Sequence, residues 1–158
     1  MGLSAAEKTT VELKDAKGQS VGTAVITENK GGKGVTIKLT AKGLPAGEHA
    51  FHIHQNAKCE APAFTTAGGH FNPDSAHHGM NNAETPHPHA GDMNNFTVGP
   101  KGTAKVTFTD PSVNMGTDNH SIFSNGGTAL VIHAKADDLK SDPSGNAGDR
   151  IACGVITK

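Results

Sequence analysis

The residues of this chain with the most obvious capacity for chemistry are its histidines. Eight of the ten lie between His49 and His89, and a ninth, His133, ends an apolar segment far downstream. Imidazole is the commonest protein ligand for copper and zinc. Asp92 adds a carboxylate at the end of the cluster. This combination indicates bound metal, and the spacing of the residues indicates what the metal could do.

Two of the histidines alternate with apolar residues in Phe51-His52-Ile53-His54. Because side chains alternate between the two faces of a strand, the imidazoles share one face and the apolar pair shares the other. The apolar face can enter a core while both imidazoles point to a common metal. A second apolar strand ends at His133. The plainer interpretation is that these are surface histidines beside a solvated, loosely metal-binding loop.

The segment that follows contributes His70, His78, His89 and Asp92, the last two on a tight turn that contains glycine. Three histidines and one aspartate suit a closed tetrahedral zinc site. Copper prefers imidazole ligands in a flatter, more open arrangement. The chain therefore offers ligands for about two metal sites of different character.

The elements that must position these ligands are predicted to be short strands. Strand-like segments recur at short intervals, each bounded by Gly, Pro, Asn or Asp, and no segment is convincingly helical. About eight strands favour an all-β antiparallel sandwich or barrel. Two long stretches, 56–93 and 135–149, interrupt this pattern, and loops of that length are usually functional. The predicted strands are 10–13, 21–27, 35–40, 48–55, 95–98, 103–109, 128–134 and 151–157.

Composition argues against several other classes of protein. A net charge of −1 creates no global field that would attract nucleic acid or an anionic membrane. The chain has no Trp or Tyr, so the aromatic platforms on which bases stack are scarce. No apolar run approaches the length of a membrane span. We therefore expect no nucleic-acid partner and no transmembrane segment.

The two cysteines, Cys59 and Cys153, are far apart and neither lies in a CxxC pair. A zinc finger or a thioredoxin-like motif is therefore disfavoured. One disulfide is the better interpretation, with two buried free thiols as the alternative. It would stabilise the fold by about 4–5 kcal/mol in the entropy model, and it predicts an extracellular, periplasmic or cell-envelope location. Residues 1–6 are too short and insufficiently apolar for a secretory signal, so an exported protein would have lost its signal earlier.

Several segments together match a known family in order and approximate spacing. On these segments the chain resembles a copper/zinc superoxide dismutase over nearly its whole length. The extra residues 60–66 resemble those of bacterial members. The resemblance implies an eight-stranded Greek-key, immunoglobulin-like sandwich or barrel, with two long functional loops, over residues 9–158 after a flexible extension at 1–8. The matching segments are 47–54 (GEHAFHIH), 68–73 (GGHFNP), 78–79 (HG), 89–92 (HAGD), 130–138 (LVIHAKADD) and 145–154 (GNAGDRIACG).

The resemblance also implies a role for each candidate residue. Three histidines would bind copper only, three further ligands would bind zinc only, and one imidazole would bridge the two metals. Asp137 would hydrogen-bond a copper ligand and a zinc ligand, expected to be His52 and His78, and so fix their orientation. Cys59 and Cys153 would form the disulfide. The implied assignments are His52, His54 and His133 for copper, His78, His89 and Asp92 for zinc, and His70 for the bridge.

The implied activity is the conversion of superoxide to oxygen and hydrogen peroxide. His70 would carry a proton to the forming peroxide, and Arg150 would dock superoxide beside the open copper position. A surface ion pair with Asp149 is the plainer role for Arg150. The loop at 139–148 carries Lys140 as its one cation, so electrostatic steering there is expected to be weaker. Dimer interfaces differ within the family, so a homodimer is possible but not specified.

Some histidines compete for these assignments. His77 and His87 lie next to assigned ligands, and the sequence context favours His78 and His89 over them. His49 and His120 fit no motif and are predicted to be surface residues. A non-enzymatic zinc- or copper-binding protein on the same fold is the main alternative, and a structural sandwich with an incidental His-rich loop is the second.

Overall fold

A computed structural model describes residues 7–83 and 87–158 of the chain. The described residues form nine strands. One more strand is present than predicted, because the predicted strand 48–55 is interrupted at Ala50 and its two halves pair with different partners. The strands are β1 (Lys8–Asp15), β2 (Ser20–Glu28), β3 (Val35–Ala41), β4 (Gly47–His49), β5 (Phe51–His54), β6 (Phe96–Val98), β7 (Ala104–Asp110), β8 (Thr128–His133) and β9 (Arg150–Ile156).

The strands form one large sheet and one small sheet, and neighbouring strands are antiparallel. The large sheet has the order β5-β8-β9-β1-β2-β3-β7, and the small one pairs β4 with β6. The expectation of an all-β antiparallel fold is confirmed. Lys8 already belongs to β1, so the predicted extension at 1–8 is too long by at least this residue. The rest of that prediction falls largely on residues 1–6, which lie outside the described residues.

The sheets curl around an apolar interior that period-two alternation supplies. In β3, for example, Val35, Ile37 and Leu39 are buried, whereas Lys38 and Thr40 are exposed. Aromatic rings from three strands meet inside: Phe51 contacts Phe108 with ring centroids 5.0 Å apart. Phe96 of the small sheet lies 6.0 Å from Phe51, which links the two sheets.

Contacts between the two long connections place them side by side. The first covers residues 55–95 after β5, and the second covers residues 134–149 after β8. The His78 amide donates to Asp142 Oδ1 at 2.7 Å, and the Asn81 amide donates to the Leu139 carbonyl at 2.9 Å. The described residues also contain three single-turn 3₁₀ helices, at Lys30–Gly32, Thr65–Ala67 and Ser124–Gly126. Within residues 7–83 and 87–158, no helix has the length and apolarity needed to cross a membrane.

Candidate metal centre

The first pair of candidate ligands lies on β5, with the alternation that the sequence predicts. Phe51 and Ile53 enter the main apolar core, and His52 and His54 face the other way. Those imidazoles do not reach solvent, because the long loops cover them and the two residues are 0% and 1% exposed. His133 ends the neighbouring strand β8 and is also buried.

The first long loop folds back along β5 and delivers further ligands to the same face. Backbone bridges pair His52 with Asp92 and His54 with His70. The Ile53 amide donates to the Gly91 carbonyl at 2.9 Å. This close approach requires glycine at 91, since a Cβ there would collide with the carbonyl oxygen of Ile53. Local backbone pairing thus places His70 and Asp92 against the β5 histidines.

Four buried histidines form the first potential metal-binding group. Their ligand atoms all lie within 4.8 Å of one another. The Nε2 atoms of His54 and His133 are 3.4 Å apart. An all-imidazole donor set of this kind suits copper. The members are His52, His54, His70 and His133.

The second group is centred on the Asp92 carboxylate. Asp92 Oδ1 lies 2.8 Å from His70 Nδ1, 3.1 Å from His78 Nδ1 and 3.4 Å from His89 Nδ1. The Nδ1 atoms of His70 and His89 are 3.3 Å apart. Ligand atoms around a tetrahedral ion with bonds of 2.0–2.1 Å are about 3.3 Å apart, so this arrangement suits zinc.

His52 also lies within 4.8 Å of His70, His78 and Asp92, so distance alone would assign it to either group. Its hydrogen bonds favour the first group. His52 Nε2 is already engaged by the Asp137 carboxylate at 2.7 Å. The other nitrogen, Nδ1, is buried and has no hydrogen-bond partner. His89 completes the second group instead, through the short contacts to Asp92 and His70.

The His70 ring is shared by both groups. Its Nδ1 atom faces Asp92 and His89. Its Nε2 atom is buried without a hydrogen-bond partner. Among the described residues, three buried ring nitrogens have no hydrogen-bond partner: His52 Nδ1, His70 Nε2 and His133 Nδ1. Because buried polar atoms are nearly always paired, such nitrogens on the first group of histidines mark positions that suit a metal ion. The residues present therefore fit two metal ions, and His70 belongs to both groups of potential ligands.

Asp137 connects the two groups from behind. Its carboxylate accepts hydrogen bonds from Nε2 of His52 at 2.7 Å and Nε2 of His78 at 2.8 Å. Asn95 in turn clamps the Asp137 backbone, donating to its carbonyl and accepting from its amide. Bonds of this kind fix the tautomer and orientation of metal-ligating histidines. The sequence motifs include Asp137, whereas Asn95 lies at the edge of a predicted strand, belongs to no motif and was not predicted.

Burial keeps three of the histidines neutral. It holds the pKa of His54 well below its ordinary value, with a smaller effect from His70. Burial lowers the pKa of His70 to about 4, despite an opposing hydrogen bond to Asp92. Burial and the neighbouring His52 lower the pKa of His133 to about 3. Since neutral imidazole is the form that binds metal, these ligands are ready to bind at neutral pH.

The second group has the opposite electrostatics. Burial alone would lower the pKa of His78, but hydrogen bonds to Asp137 and Asp92 outweigh it and raise the pKa to about 9. Burial alone would raise the pKa of Asp92, but hydrogen bonds from His70, His78 and His89 hold that pKa far below its ordinary value. Without metal, a protonated imidazole and a carboxylate therefore balance each other here.

The competing histidines lie elsewhere. The His77 side chain is 54% exposed and pairs with Asp142, and His87 is exposed. His120 is partly exposed and pairs with Asp74. The prediction of a surface position for His49 is wrong, because this residue is 2% exposed. Its ring lies within hydrogen-bonding distance of the His133 carbonyl at 2.8 Å and the Pro45 carbonyl at 2.7 Å.

The period-two pattern offered a signal for the burial of His49. It shares parity with Phe51 and Ile53, both of which face the core. The interruption of the strand at Ala50 made this signal unreliable.

Arg150 begins β9 directly opposite His133 in the sheet register. Its guanidinium donates a hydrogen bond of 2.8 Å to the backbone carbonyl of Phe64. Cys59 and Cys153 form a disulfide that ties the first long loop to β9. Arg150 therefore lies at the junction of the disulfide, the loop and the first group of histidines.

A family model described as copper/zinc superoxide dismutase matches residues 20–156. The chain belongs to the copper/zinc superoxide dismutase family. Dismutation of superoxide is accordingly its activity, and copper and zinc are its cofactors. The expectation of this family, drawn from the motifs alone, is confirmed.

Similar curated proteins come from bacteria. Superoxide dismutase (Cu-Zn) 2 of Aquifex aeolicus (strain VF5) is 50% identical over 151 residues, which cover 94% of this chain and 86% of that protein. Superoxide dismutase (Cu-Zn) 1 of the same organism is 49% identical over 152 residues, with coverage of 94% and 87%. These similarities agree with the bacterial character of the segment after Cys59.

Two solved structures share the fold. The crystal structure of a superoxide dismutase-like protein from Bacillus subtilis has a TM-score of 0.89 and 36% identity, covering 96% of this chain and 99% of that one. The copper/zinc superoxide dismutase from Brucella abortus has a TM-score of 0.74 and 29% identity, covering 95% and 99%. The Greek-key barrel expected from the motifs is therefore confirmed.

Proposed function

We propose that the two groups of ligands divide the work of superoxide dismutation between a redox metal and a structural one. Copper would bind to His52, His54, His70 and His133. Zinc would bind to His70, His78, His89 and Asp92. The observation that carries this assignment is the His70 ring, which directs one nitrogen at the Asp92 cluster and leaves the other buried and partnerless beside the remaining histidines.

When bound, copper supplies the one-electron chemistry that dismutation needs, and zinc supplies none. The protein's own residues do the rest. His70 would hold a proton at Nε2 and deliver it as peroxide forms, which is general acid chemistry by an imidazole. Asp137 would keep the rings of His52 and His78 in one orientation through its two hydrogen bonds. The two loops keep the ligands dry, since all of them are at most 7% exposed.

Arg150 would dock the substrate. Its charge is permanent, and its forked donors suit a small anion. It faces His133 across the β8–β9 pair, and its hydrogen bond to Phe64 leaves other donors of the guanidinium available. Arg150→Ala should lower the rate of superoxide consumption while copper and zinc content stay at the natural level. Unaltered activity in this variant would remove the docking role.

The zinc assignment has matched controls within the chain. His78→Ala and His89→Ala should lose zinc, as measured by elemental analysis of purified protein. The neighbouring variants His77→Ala and His87→Ala should keep it. Loss of zinc in His77→Ala with retention in His78→Ala would reverse the assignment.

A copper titration separates the enzyme from a non-enzymatic metal binder. Copper added to the zinc-loaded protein should bring superoxide consumption to a plateau at one equivalent per chain. Copper that binds tightly without turnover would instead identify a metal-binding protein on the same fold. Elemental analysis of the same samples gives the metal content needed to distinguish weak binding from inactive binding.

We also propose that the protein works in the periplasm, the cell envelope or outside the cell. The disulfide supports this location, because such bonds persist in oxidising compartments and are rare in the cytosol. Fractionation of the producing cells with an antibody against the protein tests it. Recovery mainly with cytosolic markers would refute it.

A further inference from the structure

The carbonyl group that receives the guanidinium of Arg150 belongs to Phe64, in the segment between Cys59 and His70. Arg150 Nη1 donates to Phe64 O at 2.8 Å. The same oxygen accepts from the Ala67 amide at 3.2 Å. Two donors occupy the two lone pairs of this oxygen. The direction of the guanidinium is therefore tied to the geometry of the turn at residues 64–67.

Phe64 adopts a backbone conformation that is rare for a bulky residue. Its φ and ψ angles are 56° and 25°, in the left-handed region. This conformation is unfavourable for a residue other than glycine, and it persists only where the surroundings impose it. Glycine would adopt it freely. The presence of phenylalanine here indicates that packing of its side chain offsets the cost of this backbone conformation.

The Phe64 ring is anchored in a small apolar cluster that is distinct from the main core. Phe64 is 2% exposed. Its neighbours in the cluster come from the strands that carry His133 and Arg150 and from the disulfide. The ring thus fastens the left-handed turn to β8 and β9. The other members are Ala67, Ala129, Val131 and Cys153, with Cys59 packed against them.

We propose that Phe64 is a positioning residue for Arg150. Its buried ring locks the left-handed turn whose carbonyl oxygen holds the guanidinium at the edge of the first group of histidines. The inference rests on the docking role proposed for Arg150, and it assigns Phe64 no contact with superoxide. It also gives the extra residues 60–66 a purpose, since they supply this anchor.

The sequence allows a direct test, because Arg150 is the only arginine in the chain. Phenylglyoxal reacts with guanidinium groups, so intact-mass spectrometry of the copper- and zinc-loaded protein reports on Arg150 alone. Arg150→Lys measures the background reaction at amines. Phe64→Ala and Phe64→Gly should both react about tenfold faster than the natural protein, the factor expected for loss of one charge-assisted hydrogen bond.

Two control variants should react at close to the natural rate. Phe64→Leu keeps an apolar side chain of similar reach and should restore the anchor. Phe123→Ala removes a partly buried ring that packs against the main core instead. Rapid modification in Phe123→Ala as well would show that loss of any buried ring exposes Arg150, and the proposal would be wrong.

The glycine variant decides between ring and backbone. If Phe64→Gly keeps the natural rate of modification, the left-handed turn alone holds Arg150 and the ring is not needed, which overturns the proposal. An unchanged rate in Phe64→Ala overturns it equally. Should those variants not fold, Val131→Ala loosens the same cluster more gently and should still accelerate the reaction.

The modification assay does not depend on turnover. Its outcome therefore stands whether or not Arg150→Ala lowers the rate of superoxide consumption. Protection of Arg150 by Phe64 without any loss of activity in Arg150→Ala would overturn the docking role and leave the positioning role intact.

Discussion

Gly145 lies in the second long loop and packs directly against Asp137, the residue that connects the two groups of potential metal ligands. Its φ angle is +71°, and a Cβ at this position would collide with Asp137 Oδ1 and approach His78 Nε2 to 2.8 Å. Gly43, in the turn between β3 and β4, has a similar φ of +66° but nothing within 4 Å of its Cβ position. A comparison of alanine variants at these two glycines therefore separates the effect of backbone strain from the effect of steric collision.

Alanine at either position must adopt a left-handed conformation, at a cost of about 1–2 kcal/mol in folding free energy. Gly145→Ala must in addition displace the Asp137 carboxylate, which holds His52 and His78 at 2.7 and 2.8 Å. Loss of such a supporting interaction typically weakens metal binding by about 10–100-fold. We therefore expect Gly145→Ala to bind zinc about 10–100-fold more weakly than Gly43→Ala.

Metal-free protein is mixed with zinc and a chelator of known affinity, and the zinc bound to each at equilibrium gives this ratio of affinities. Thermal unfolding of the same samples measures the strain that the two variants share. Equal zinc affinity in the two variants would refute the reasoning, because it would mean that the position of Asp137 does not govern the zinc ligands. Asp137→Asn then serves as an independent check on the carboxylate.

Three further predictions concern the disulfide, the pH dependence and His49. The double variant Cys59→Ala with Cys153→Ala lacks a crosslink that spans 94 residues. Its free energy of unfolding should be lower by about 4–5 kcal/mol in the entropy model. Equal midpoints of guanidinium unfolding in the double variant and the natural protein would contradict this. The pKa of His78 is raised to about 9 in the folded protein. In the metal-free protein, protonation of His78 therefore stabilises the fold fully below the unfolded pKa of about 6.5. This contribution to the free energy of unfolding disappears as the pH rises through the folded pKa. Between those values zinc must displace a proton from His78, and calorimetry in buffers of different ionisation enthalpy should detect its release; absence of any buffer dependence would exclude it. His49→Ala removes a buried ring that lies near two carbonyl groups and should destabilise the fold by about 2–4 kcal/mol. His120 is partly exposed, so His120→Ala should cost less than about 1 kcal/mol. Similar midpoints for the two variants in thermal unfolding would refute the distinction.

Much of the fold follows from local patterns. The alternation in Phe51-His52-Ile53-His54 correctly predicts which side chains enter the core. The turn residues between the strands locate most strand boundaries to within one or two residues. The interruption at Ala50 could not be predicted, because both halves have strand character and only their partners, β6 and β8, decide that they separate.

The metal centre divides in a similar way. Motif and spacing pointed to the seven candidate ligands and favoured His78 and His89 over their neighbours. His49 was predicted to lie on the surface but is buried. Asn95 and Phe64 were not predicted, since neither residue belongs to a metal-binding motif. Their contacts reach 42 and 86 residues along the chain, to Asp137 and Arg150.

By itself the sequence determined which chemical groups are available, in what order, and on which face of each strand, because residue type and period-two alternation are local properties. Only the tertiary structure decided which of those groups meet. His70 lies between the two groups of potential ligands because a loop returns along β5. Arg150 reaches the Phe64 carbonyl because two segments 86 residues apart meet. Such encounters depend on the packing of segments that are remote in the chain.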